Sequence, residues 1–355
     1  MAAACVSLAA AAKGVAEWNS LKLDLGVLES TDAEATGSLW FVNTGDVPLY
    51  ITQVRPTCGC TDTDHTRSEI APGDTGRVVL KFNAHGTIGK FSKGVYVYTS
   101  DSEQRTTLRI EGIVKPTAQE LEKRYPYPAG PLRLSRAINA MGKITKGANK
   151  MSYLTGINAG DDSVKISFRD VPGHIEISSI PEIAGPGEKV TIPIYFDTNS
   201  TSDWGYVADS LTVVAEPLGK PEQQGSVRAE VSGVVVDDFS KLSKEDLDNA
   251  PIIVLEQDVA DFGVVESNSK AECAVGLKNC GKTPLLVRDV YCEERGISIG
   301  CDKGEIAPGG SATITVKADT AKLEYDMIIA NAYIICNDPS NSQVFLRVAG
   351  EIKKK

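Results

Sequence analysis

Cys58 and Cys60, separated by one glycine, are the residues of this chain whose types and spacing suit chemistry most directly. Such a pair could form a local disulfide, exchange disulfides with another thiol, or bind a soft ion such as Cu(I) or Zn(II) together with His65. The α-carbons of residues two apart in an extended strand lie about 7 Å from each other, at the limit for a disulfide. We therefore expect a folded loop, which Gly59 permits, and a bond that is comparatively easy to reduce if it forms.

Three interpretations of this pair compete. A structural role, as a local disulfide or as a thiol packed against the protein, needs nothing else in the sequence. Thiol exchange is weakened because no thioredoxin-like βαβ pattern surrounds the pair. A closed zinc site takes four ligands and only His65 follows nearby, so the signal for a metal at Cys58, Cys60 and His65 is weak. We favour the structural role and keep thiol-redox or soft-metal handling as the alternative.

The loop with the two cysteines lies in the first of three repeats, each marked by three landmarks in the same order. The landmarks are an apolar residue followed by glycine, then Asn-x-Gly, then Pro-Gly. They occur as Leu25-Gly26, Asn43-Thr44-Gly45 and Pro72-Gly73; as Met141-Gly142, Asn158-Ala159-Gly160 and Pro186-Gly187; and as Phe262-Gly263, Asn279-Cys280-Gly281 and Pro308-Gly309. The glycine-to-asparagine spacing is 17, 16 and 16 residues and the asparagine-to-proline spacing is 29, 28 and 29, which chance does not produce.

Each landmark has a role in connecting strands. The first opens a short strand, Asn-x-Gly supplies residues that tolerate positive φ in a tight reversal, and Pro-Gly fits the central pair of a type II turn. Between the landmarks apolar residues alternate, as in Val78, Leu80 and Phe82, so each strand buries one face. The sequence therefore predicts an all-β chain of three tandem immunoglobulin-like antiparallel β-sandwiches, joined by short, partly helical linkers.

The landmarks also predict where the domains begin and end. The expected segments are a truncated signal peptide at 1–16, sandwiches at 17–115, 131–236 and 252–355, and linkers at 116–130 and 237–251. In the first linker, residues 115–122 are typical of a helical turn. In the second, Ser243 precedes an acidic first turn and is expected to cap it.

The first twelve residues, MAAACVSLAAAA, are small and apolar and end in an Ala-x-Ala type of cleavage site, which predicts export. No Lys or Arg precedes this run, so it is either a truncated leader, which we favour, or an ordinary alanine-rich terminus. No later stretch approaches the roughly 18 unbroken apolar residues of a membrane span. Export would place the chain in a compartment that permits disulfides.

Charge and histidine usage argue against several function classes. The 47 acidic and 37 basic residues give a net charge of −10, the wrong sign for binding nucleic acid or anionic lipid. The three histidines, His65, His85 and His174, lie beside no nucleophile in a recognisable elbow, and no glycine-rich phosphate loop joins a strand to a helix. We predict that the protein is not an enzyme and has no cofactor.

The remaining cysteines allow several pairings. Cys292 and Cys301 lie in the interval of the third repeat that corresponds to Cys-Gly-Cys, and they could clasp a loop or remain thiols. Cys273 and Cys336 fall on the same alternating positions as the apolar residues around them, so their side chains should point inward. They are therefore either core cysteines or a pair that bridges two sheets. Without Cys5 seven cysteines remain, so at least one stays free or pairs with another chain.

Several of these motifs together resemble one family. Val54-Arg55-Pro56-Thr57-Cys58-Gly59-Cys60-Thr61, with Asn43-Thr44-Gly45-Asp46-Val47-Pro48-Leu49, Ile70-Ala71-Pro72-Gly73 and Arg109-Ile110-Glu111-Gly112, closely resembles the domain of unknown function 1573 family. The match is specific over residues 23–114 and clear again over 260–352, whereas the middle repeat departs more. The family is abundant in exported Bacteroidetes proteins and is related in fold to immunoglobulin-like domains called ASH or major-sperm-protein-like. The resemblance implies a fold and an exported location, and no activity.

The sequence thus predicts a non-catalytic, exported scaffold or protein-binding module of the bacterial cell envelope, in the periplasm or at the cell surface. Its partner would be an envelope protein, bound through the edges and loops of the sandwiches. Trp40 lies between Leu39 and Phe41, which fall on positions expected to face the core, and we interpret its side chain as packing on the sheet. An outward Trp40 would also suit a carbohydrate, which we rank behind a protein partner. The alternative function is thiol-redox or soft-metal handling through Cys58 and Cys60.

Overall fold

The computed structural model describes residues 13–32, 34–102 and 104–353. Residues 1–12, with most of the predicted leader and Cys5, lie outside the described part. The described chain forms six β-sheets that pair into three sandwiches, each around its own apolar core. The prediction of an all-β fold made of immunoglobulin-like sandwiches is confirmed. Within these residues no helix is long and apolar enough to span a bilayer.

Sandwich 1 is built from the first eight strands. They are β1 (Ala16–Trp18), β2 (Lys22–Glu29), β3 (Ala35–Asn43), β4 (Ile51–Pro56), β5 (Thr61–His65), β6 (Thr75–Phe82), β7 (Gly89–Thr99) and β8 (Thr106–Lys115). One sheet has the strand order β1-β3-β6-β5 and the other β2-β8-β7-β4. Helix α1 (Ala118–Arg124) follows in the first linker.

Sandwich 2 comprises the next ten strands. They are β9 (Tyr127–Ala129), β10 (Leu132–Leu134), β11 (Ile138–Thr145), β12 (Asn149–Asn158), β13 (Val164–Arg169), β14 (Ile175–Ile177), β15 (Ile183–Ala184), β16 (Lys189–Asp197), β17 (Gly205–Pro217) and β18 (Gly225–Val236). The sheets have the orders β14-β16-β12-β10-β9 and β11-β18-β17-β13-β15. A short 3₁₀ helix lies at Pro221–Gln223, and helix α2 (Lys244–Asp248) lies in the second linker.

Sandwich 3 contains the last nine strands. They are β19 (Ile253–Leu255), β20 (Val259–Glu266), β21 (Lys270–Asn279), β22 (Leu285–Cys292), β23 (Ile297–Cys301), β24 (Glu305–Ile306), β25 (Ser311–Asp319), β26 (Met327–Cys336) and β27 (Gln343–Lys353). The sheets have the orders β19-β21-β25-β23 and β20-β27-β26-β22-β24, and a 3₁₀ helix spans Thr320–Lys322.

The alternating residues point as their period predicts. In β6, Val78, Leu80 and Phe82 are fully buried, and Phe82 stacks on Phe91 of the opposite sheet with ring centroids 4.1 Å apart. Burying one such side chain contributes about 1.5–3 kcal/mol, so a dozen or more per sandwich supply the main force for folding. Each repeat therefore carries a complete core of its own.

One strand pair in each sandwich is parallel, which corrects the expectation of purely antiparallel sheets. β2 pairs with β8, β11 with β18 and β20 with β27 in parallel, and the register of each pair shifts around the first landmark. Gly26, Gly142 and Gly263 have φ of 68°, 66° and 59°, a conformation that glycine adopts without steric cost. The landmark glycine therefore forms a bulge inside the strand, whereas we had predicted that it opens the strand.

The linkers contain the predicted helical turns. Thr117 caps α1 by accepting a hydrogen bond from the Glu120 N–H, and the Glu120 side chain accepts from the Thr117 N–H. Ser243 and Asp246 form the same reciprocal capping box at α2. In the first linker, residues 127–129 already belong to a sheet of sandwich 2, and at the N-terminus Ala16 of β1 pairs with Asn43.

A buried asparagine joins the two turn landmarks in every sandwich. In sandwich 1 the Asn43 side-chain amide donates to the Val47 and Ile70 carbonyls at 2.9 and 3.0 Å, and its oxygen accepts from the Gly45 N–H at 3.1 Å. The Gly73 N–H also donates to the Asn43 carbonyl at 2.8 Å. Asn43 is thus fully buried and holds two separate connections together.

The same unit recurs in the other two sandwiches. Asn158 donates to Asp162 and Ala184 and accepts from Gly160; Asn279 donates to Thr283 and Ile306 and accepts from Gly281. None of the three asparagines has a positive φ, so they are needed for buried hydrogen bonding rather than for the backbone freedom that we expected. The Pro-Gly glycines Gly73, Gly187 and Gly309 do have positive φ, as a type II turn requires.

We expect Asn158→Ala to lower the free energy of unfolding of sandwich 2 by about 2–4 kcal/mol, because two carbonyls and one N–H each lose a hydrogen bond to this buried side chain. Native-state hydrogen exchange, followed by mass spectrometry, reports this value for each sandwich separately.

Asn149→Ala is the matched control, because Asn149 lies in the same strand, β12, and is exposed. Its effect should stay within about 0.5 kcal/mol. Equal effects of the two substitutions would contradict the role assigned to the buried asparagine.

Candidate functional site

The Cys-Gly-Cys loop crosses from one sheet of sandwich 1 to the other. It connects β4 and β5, which are outermost strands of opposite sheets. Thr57 anchors its start on β7, because the Thr57 N–H donates to the Gly94 carbonyl at 3.0 Å and the Gly94 N–H donates to the Thr57 hydroxyl at 3.2 Å. The loop is therefore held at the point where the chain changes sheets.

The sulfurs of Cys58 and Cys60 lie 2.06 Å apart, at bonding distance, and the two α-carbons are 5.3 Å apart. Cys60 packs against the core of sandwich 1, and its carbonyl accepts from the Asn83 N–H at 2.9 Å. The sulfur of Cys58 lies 3.4 Å from the hydroxyl of the buried Thr61. Both cysteines are half-buried, so the protein covers part of the pair.

The structure does not bring His65 to the cysteines. His65 ends β5, four residues beyond Thr61, and a strand rises about 3.3 Å per residue, which separates the two by roughly 13 Å. A metal ion binds its ligands at about 2 Å, so Cys58, Cys60 and His65 do not share one ion. Burial, followed by the charge of Arg67, holds the pKa of His65 below its usual value. Across the described ranges no group of three or more His, Cys, Asp or Glu could hold a metal.

Cys292 and Cys301 are free thiols, so the loop clasp that we considered is not formed. Cys292 ends β22 in one sheet, whereas Cys301 ends β23 in the other, and packed sheets lie about 10 Å apart. A disulfide needs α-carbons within about 7 Å of each other. The Cys301 thiol donates to the Lys303 carbonyl at 3.1 Å, and burial raises the pKa of both thiols.

The other cysteines of sandwich 3 differ in exposure. Cys336 is buried, its thiol donates to the Asn341 carbonyl at 3.4 Å, and burial raises its pKa to about 12. Cys273 is half-buried against the core, which raises its pKa. Cys280 is exposed. Both Cys273 and Cys336 are unbonded, so they are core cysteines and not a pair that bridges the sheets.

The three tryptophans serve different purposes. Trp18 packs on Phe41 at 4.8 Å between ring centroids, and Trp204 lies under the cations of Lys146 and Arg288. Trp40 is 43% exposed on the outer face of its sheet, so it does not pack in the core. Its exposed ring is the feature that a carbohydrate would need.

Sequence reasoning missed an exposed apolar surface on sandwich 3, which we call the end patch. It consists of Val264, Tyr325, Met327 and Ile329, which are 64%, 76%, 56% and 71% exposed. Met327 and Val264 flank Glu351 in adjacent strands, and Ile329 lies two residues along on the same face. The signal was present in the sequence, because β26 reads MIIANAYIIC and has apolar residues on both of its faces.

Direct contacts join sandwiches 1 and 2. The Lys90 N–H donates to the Gly187 carbonyl at 2.7 Å, and the Lys115 ammonium pairs with Asp161 at 2.7 Å. A Cβ at Gly187 would come within 2.5 Å of the Ile113 side chain, so only glycine allows this approach. The Pro186-Gly187 turn therefore serves as a docking surface as well as a strand connection.

Sandwiches 2 and 3 meet through aromatic and charged groups. Tyr206 of β17 stacks on Tyr291 of β22 at 5.3 Å between ring centroids, and Tyr291 stacks on Tyr333 at 5.0 Å. Arg288 forms two hydrogen bonds with Asp237 of the linker at 2.8 and 3.0 Å. Partial burial makes this bidentate pair a stronger tie than an exposed ion pair.

The fold and the repeated turn unit define a protein of consecutive immunoglobulin-like β-sandwiches. Residues 16–114 match the family model described as protein of unknown function (DUF1573), which confirms the resemblance of the first repeat. Residues 251–351 match a second model, the HYDIN/CFA65/VesB-like, Ig-like domain. No curated protein matches the chain.

Solved structures share the fold. A crystal structure of a protein of unknown function from Porphyromonas gingivalis W83 aligns with a TM-score of 0.53 and 19% identity, covering 62% of this chain and 100% of that chain. The ASH / PapD-like domain of human CEP192 aligns with a TM-score of 0.27 and 17% identity, covering 31% of this chain and 89% of that chain. At 19% identity the likeness to the Porphyromonas gingivalis structure shows the fold alone.

The exposure and pKa of the cysteines predict an order of alkylation in the native chain without reductant. Cys280 should react first because it is exposed, and Cys336 last because its thiol is buried and its high pKa leaves almost no thiolate. Cys58 and Cys60 should stay unmodified until a reductant is added. Peptide mass spectrometry after timed maleimide treatment measures each site.

A Cys280→Ser variant is the control and should lose only the fast phase. Rapid modification of Cys58 or Cys60 in the absence of reductant would contradict the bond between them.

Proposed function

We propose that this chain is a non-catalytic, exported protein-binding module of the cell envelope, which binds through the exposed faces and edges of its sandwiches. The observation that carries the proposal is the end patch of sandwich 3, where four large apolar side chains are more than half exposed, three on the strands β20 and β26 and one, Tyr325, in the bend before β26. Monomeric soluble proteins rarely expose contiguous apolar surface of this kind unless a partner covers it.

The edge beside the end patch supports the same proposal. Among the described strands β20 pairs only with β27, so one side of its backbone is open for a further strand. Strand addition at such an edge supplies main-chain hydrogen bonds, and the neighbouring apolar side chains supply contact area. The bulge at Gly263 limits the addition to a short segment, which protects the edge against unspecific aggregation.

The two junctions support a role that depends on fixed geometry. The contacts of Lys90 with Gly187 and of Tyr206 with Tyr291 restrict bending between consecutive sandwiches. A partner would therefore meet surfaces whose spacing is set before binding, which lowers the entropic cost of association. Such an arrangement suits a scaffold better than a set of freely tethered modules.

Export is supported by the alanine-rich leader and by the Cys58–Cys60 pair. Disulfides persist in oxidising compartments such as the periplasm and are rare in the cytosol. We assign the pair a structural role, because Cys60 packs on the core and the bond shortens the crossing from β4 to β5. Thiol exchange is the second candidate function, favoured by the partial exposure of both cysteines.

The test of the main proposal places a photo-crosslinking amino acid at Ile329 of the full chain, produced in the envelope of a bacterial host from the family's natural range. We expect discrete adducts with protein, because Ile329 is 71% exposed in the end patch. The same amino acid at Leu247, an exposed apolar position in α2, is the matched control and should give none.

An absence of adducts at Ile329 and at the other end-patch positions would overturn the proposal. A Val264→Lys substitution should reduce the adducts at Ile329 by about tenfold, because it places a charge in the contact. An unchanged yield would show that the end patch is not the surface in use.

The structural role of the cysteine pair gives a further expectation. Replacing Cys58 and Cys60 together by serine should lower the free energy of unfolding of sandwich 1 by about 1–2 kcal/mol, since the bond closes a loop of only three residues. Hydrogen exchange of sandwich 1 measures the change, with sandwiches 2 and 3 as internal references.

Reduction of insulin by the native chain, with dithiothreitol as the source of electrons, distinguishes the second candidate. A structural pair should give no turnover above that of the double serine variant. Turnover that disappears in this variant would instead assign thiol exchange to the site.

A further inference from the structure

Sandwich 3 repeats, near the end patch, the surface by which sandwich 1 holds sandwich 2. In one sheet of each sandwich, the strand that is first in chain order (β2 or β20) pairs in parallel with the strand that is last (β8 or β27). The register shift is the same in both. Gly112 lies opposite Phe91 and Gly350 lies opposite Ile328, which aligns the two sheets residue by residue. The corresponding pairs are Val27 with Val264, Lys90 with Met327, and Lys115 with Lys353.

In sandwich 1 these positions are occupied by the next domain. The Lys90 N–H donates to the Gly187 carbonyl, the Lys115 ammonium pairs with Asp161, and Val27 lines a small cavity of ≈ 240 Å³ between the two sandwiches. Exposure does not separate the two surfaces, because Val27 is 58% and Val264 64% exposed; what Met327 and Lys353 lack is a hydrogen bond or ion pair to another described domain. Lys353 has no ion pair among the described residues.

Among the described residues, nothing covers the surface of sandwich 1 that would receive such a contact. Its Pro72-Gly73 turn corresponds to Pro186-Gly187, and Asp46 corresponds to Asp161, since both follow the Asn-x-Gly landmark directly. A Cβ at Gly73 would meet no atom within 4 Å, which shows that the turn is uncovered. Asp46 is exposed and forms no ion pair with the described part of the chain.

The second junction, between sandwiches 2 and 3, lacks such a pair of opposite charges and is formed in a different way. In sandwich 2 the counterpart of Lys115 is Val236, and in sandwich 3 the counterpart of Asp161 is Lys282, so no opposite charges are available. There the Pro-Gly turn is not used, because a Cβ at Gly309 would meet nothing within 4 Å, and Tyr206 docks on Tyr291 instead. A lysine and an aspartate are thus paired at the junction that uses the Pro-Gly turn. Lys353 and Asp46 supply the same two charges at the corresponding positions.

We propose that copies of this chain associate head to tail, with sandwich 3 of one copy docked on the Pro72-Gly73 turn of sandwich 1 in the next. Lys353 pairs with Asp46, and Val264 and Met327 pack against the turn. The inference rests on the proposed binding function and names a second copy as the partner at one margin of the end patch. Because the two surfaces differ, the contact does not close on itself and can continue into longer assemblies.

Two positions distinguish this contact from the internal junction. Gly89, with φ of 81°, corresponds to Asp326, and Ile113 corresponds to Glu351. A side chain at the position of Gly89 would collide with the Gly187 carbonyl. The turn of the second copy therefore lies slightly farther out, where it meets the side chains of Met327 and Val264 instead of the main chain.

Carbodiimide coupling tests the contact, because it forms an amide directly, without a spacer, between a lysine and a carboxylate that lie in contact. The Lys115–Asp161 pair within each chain is the built-in positive control. Mixed ¹⁴N and ¹⁵N copies of the full chain allow links between copies to be recognised by mass. The copies are used at roughly millimolar concentration, because no linker holds separate copies together as it holds consecutive sandwiches. We expect a link between Lys353 and Asp46 of different copies.

Charge reversal makes the test specific. Lys353→Glu should reduce the linked dimer about tenfold, and mixing it with an Asp46→Lys variant should restore the dimer. Symmetric links between two copies of sandwich 3, or no link between copies while Lys115–Asp161 is coupled, would overturn the inference. Adducts of other proteins at Ile329 in that case would leave the proposed function standing.

Discussion

A buried asparagine in each sandwich satisfies backbone groups of two connections at once, and the rest of the structure depends on this arrangement. Asn43, Asn158 and Asn279 each donate to two carbonyls, one in each of two connections, and each accepts from the glycine two residues on. An unsatisfied buried polar group costs about 1–3 kcal/mol, so the buried asparagine side chain needs these partners and thereby holds the two connections in place. The ordered turns then become surfaces that other domains can use.

The junctions follow from this ordering. The Pro186-Gly187 turn is rigid because Asn158 holds it, and so its carbonyl can accept a hydrogen bond from Lys90 of the preceding sandwich. The second junction relies on side chains, with Tyr206 on Tyr291 and Arg288 on Asp237. Both junctions leave sandwich 3 with an uncovered end patch, where the chain has the surface of a binding module without an internal partner.

The repeats and their strands could be predicted from the sequence, because turn chemistry and alternation act locally. Gly73 needs a positive φ, and the period of Val78, Leu80 and Phe82 marks a half-buried strand wherever it occurs. The parallel pairing of β2 with β8 could not be predicted, since a strand's side-chain pattern does not report the direction of its neighbour. The separation of His65 from Cys60 depends on an extended β5, and contacts such as that of Gly205 with Asp289 exist only between folded domains.

Hydrogen exchange at single-residue resolution tests the buried asparagine most directly. The account predicts that the Gly73, Gly187 and Gly309 amides, which donate to the three asparagine carbonyls, exchange as slowly as amides in the central strands of their own sandwiches. Exchange of these turn amides at the rate of exposed loops would contradict the account. The asparagines would then be side chains that fill space, and the turns would not be ordered before docking.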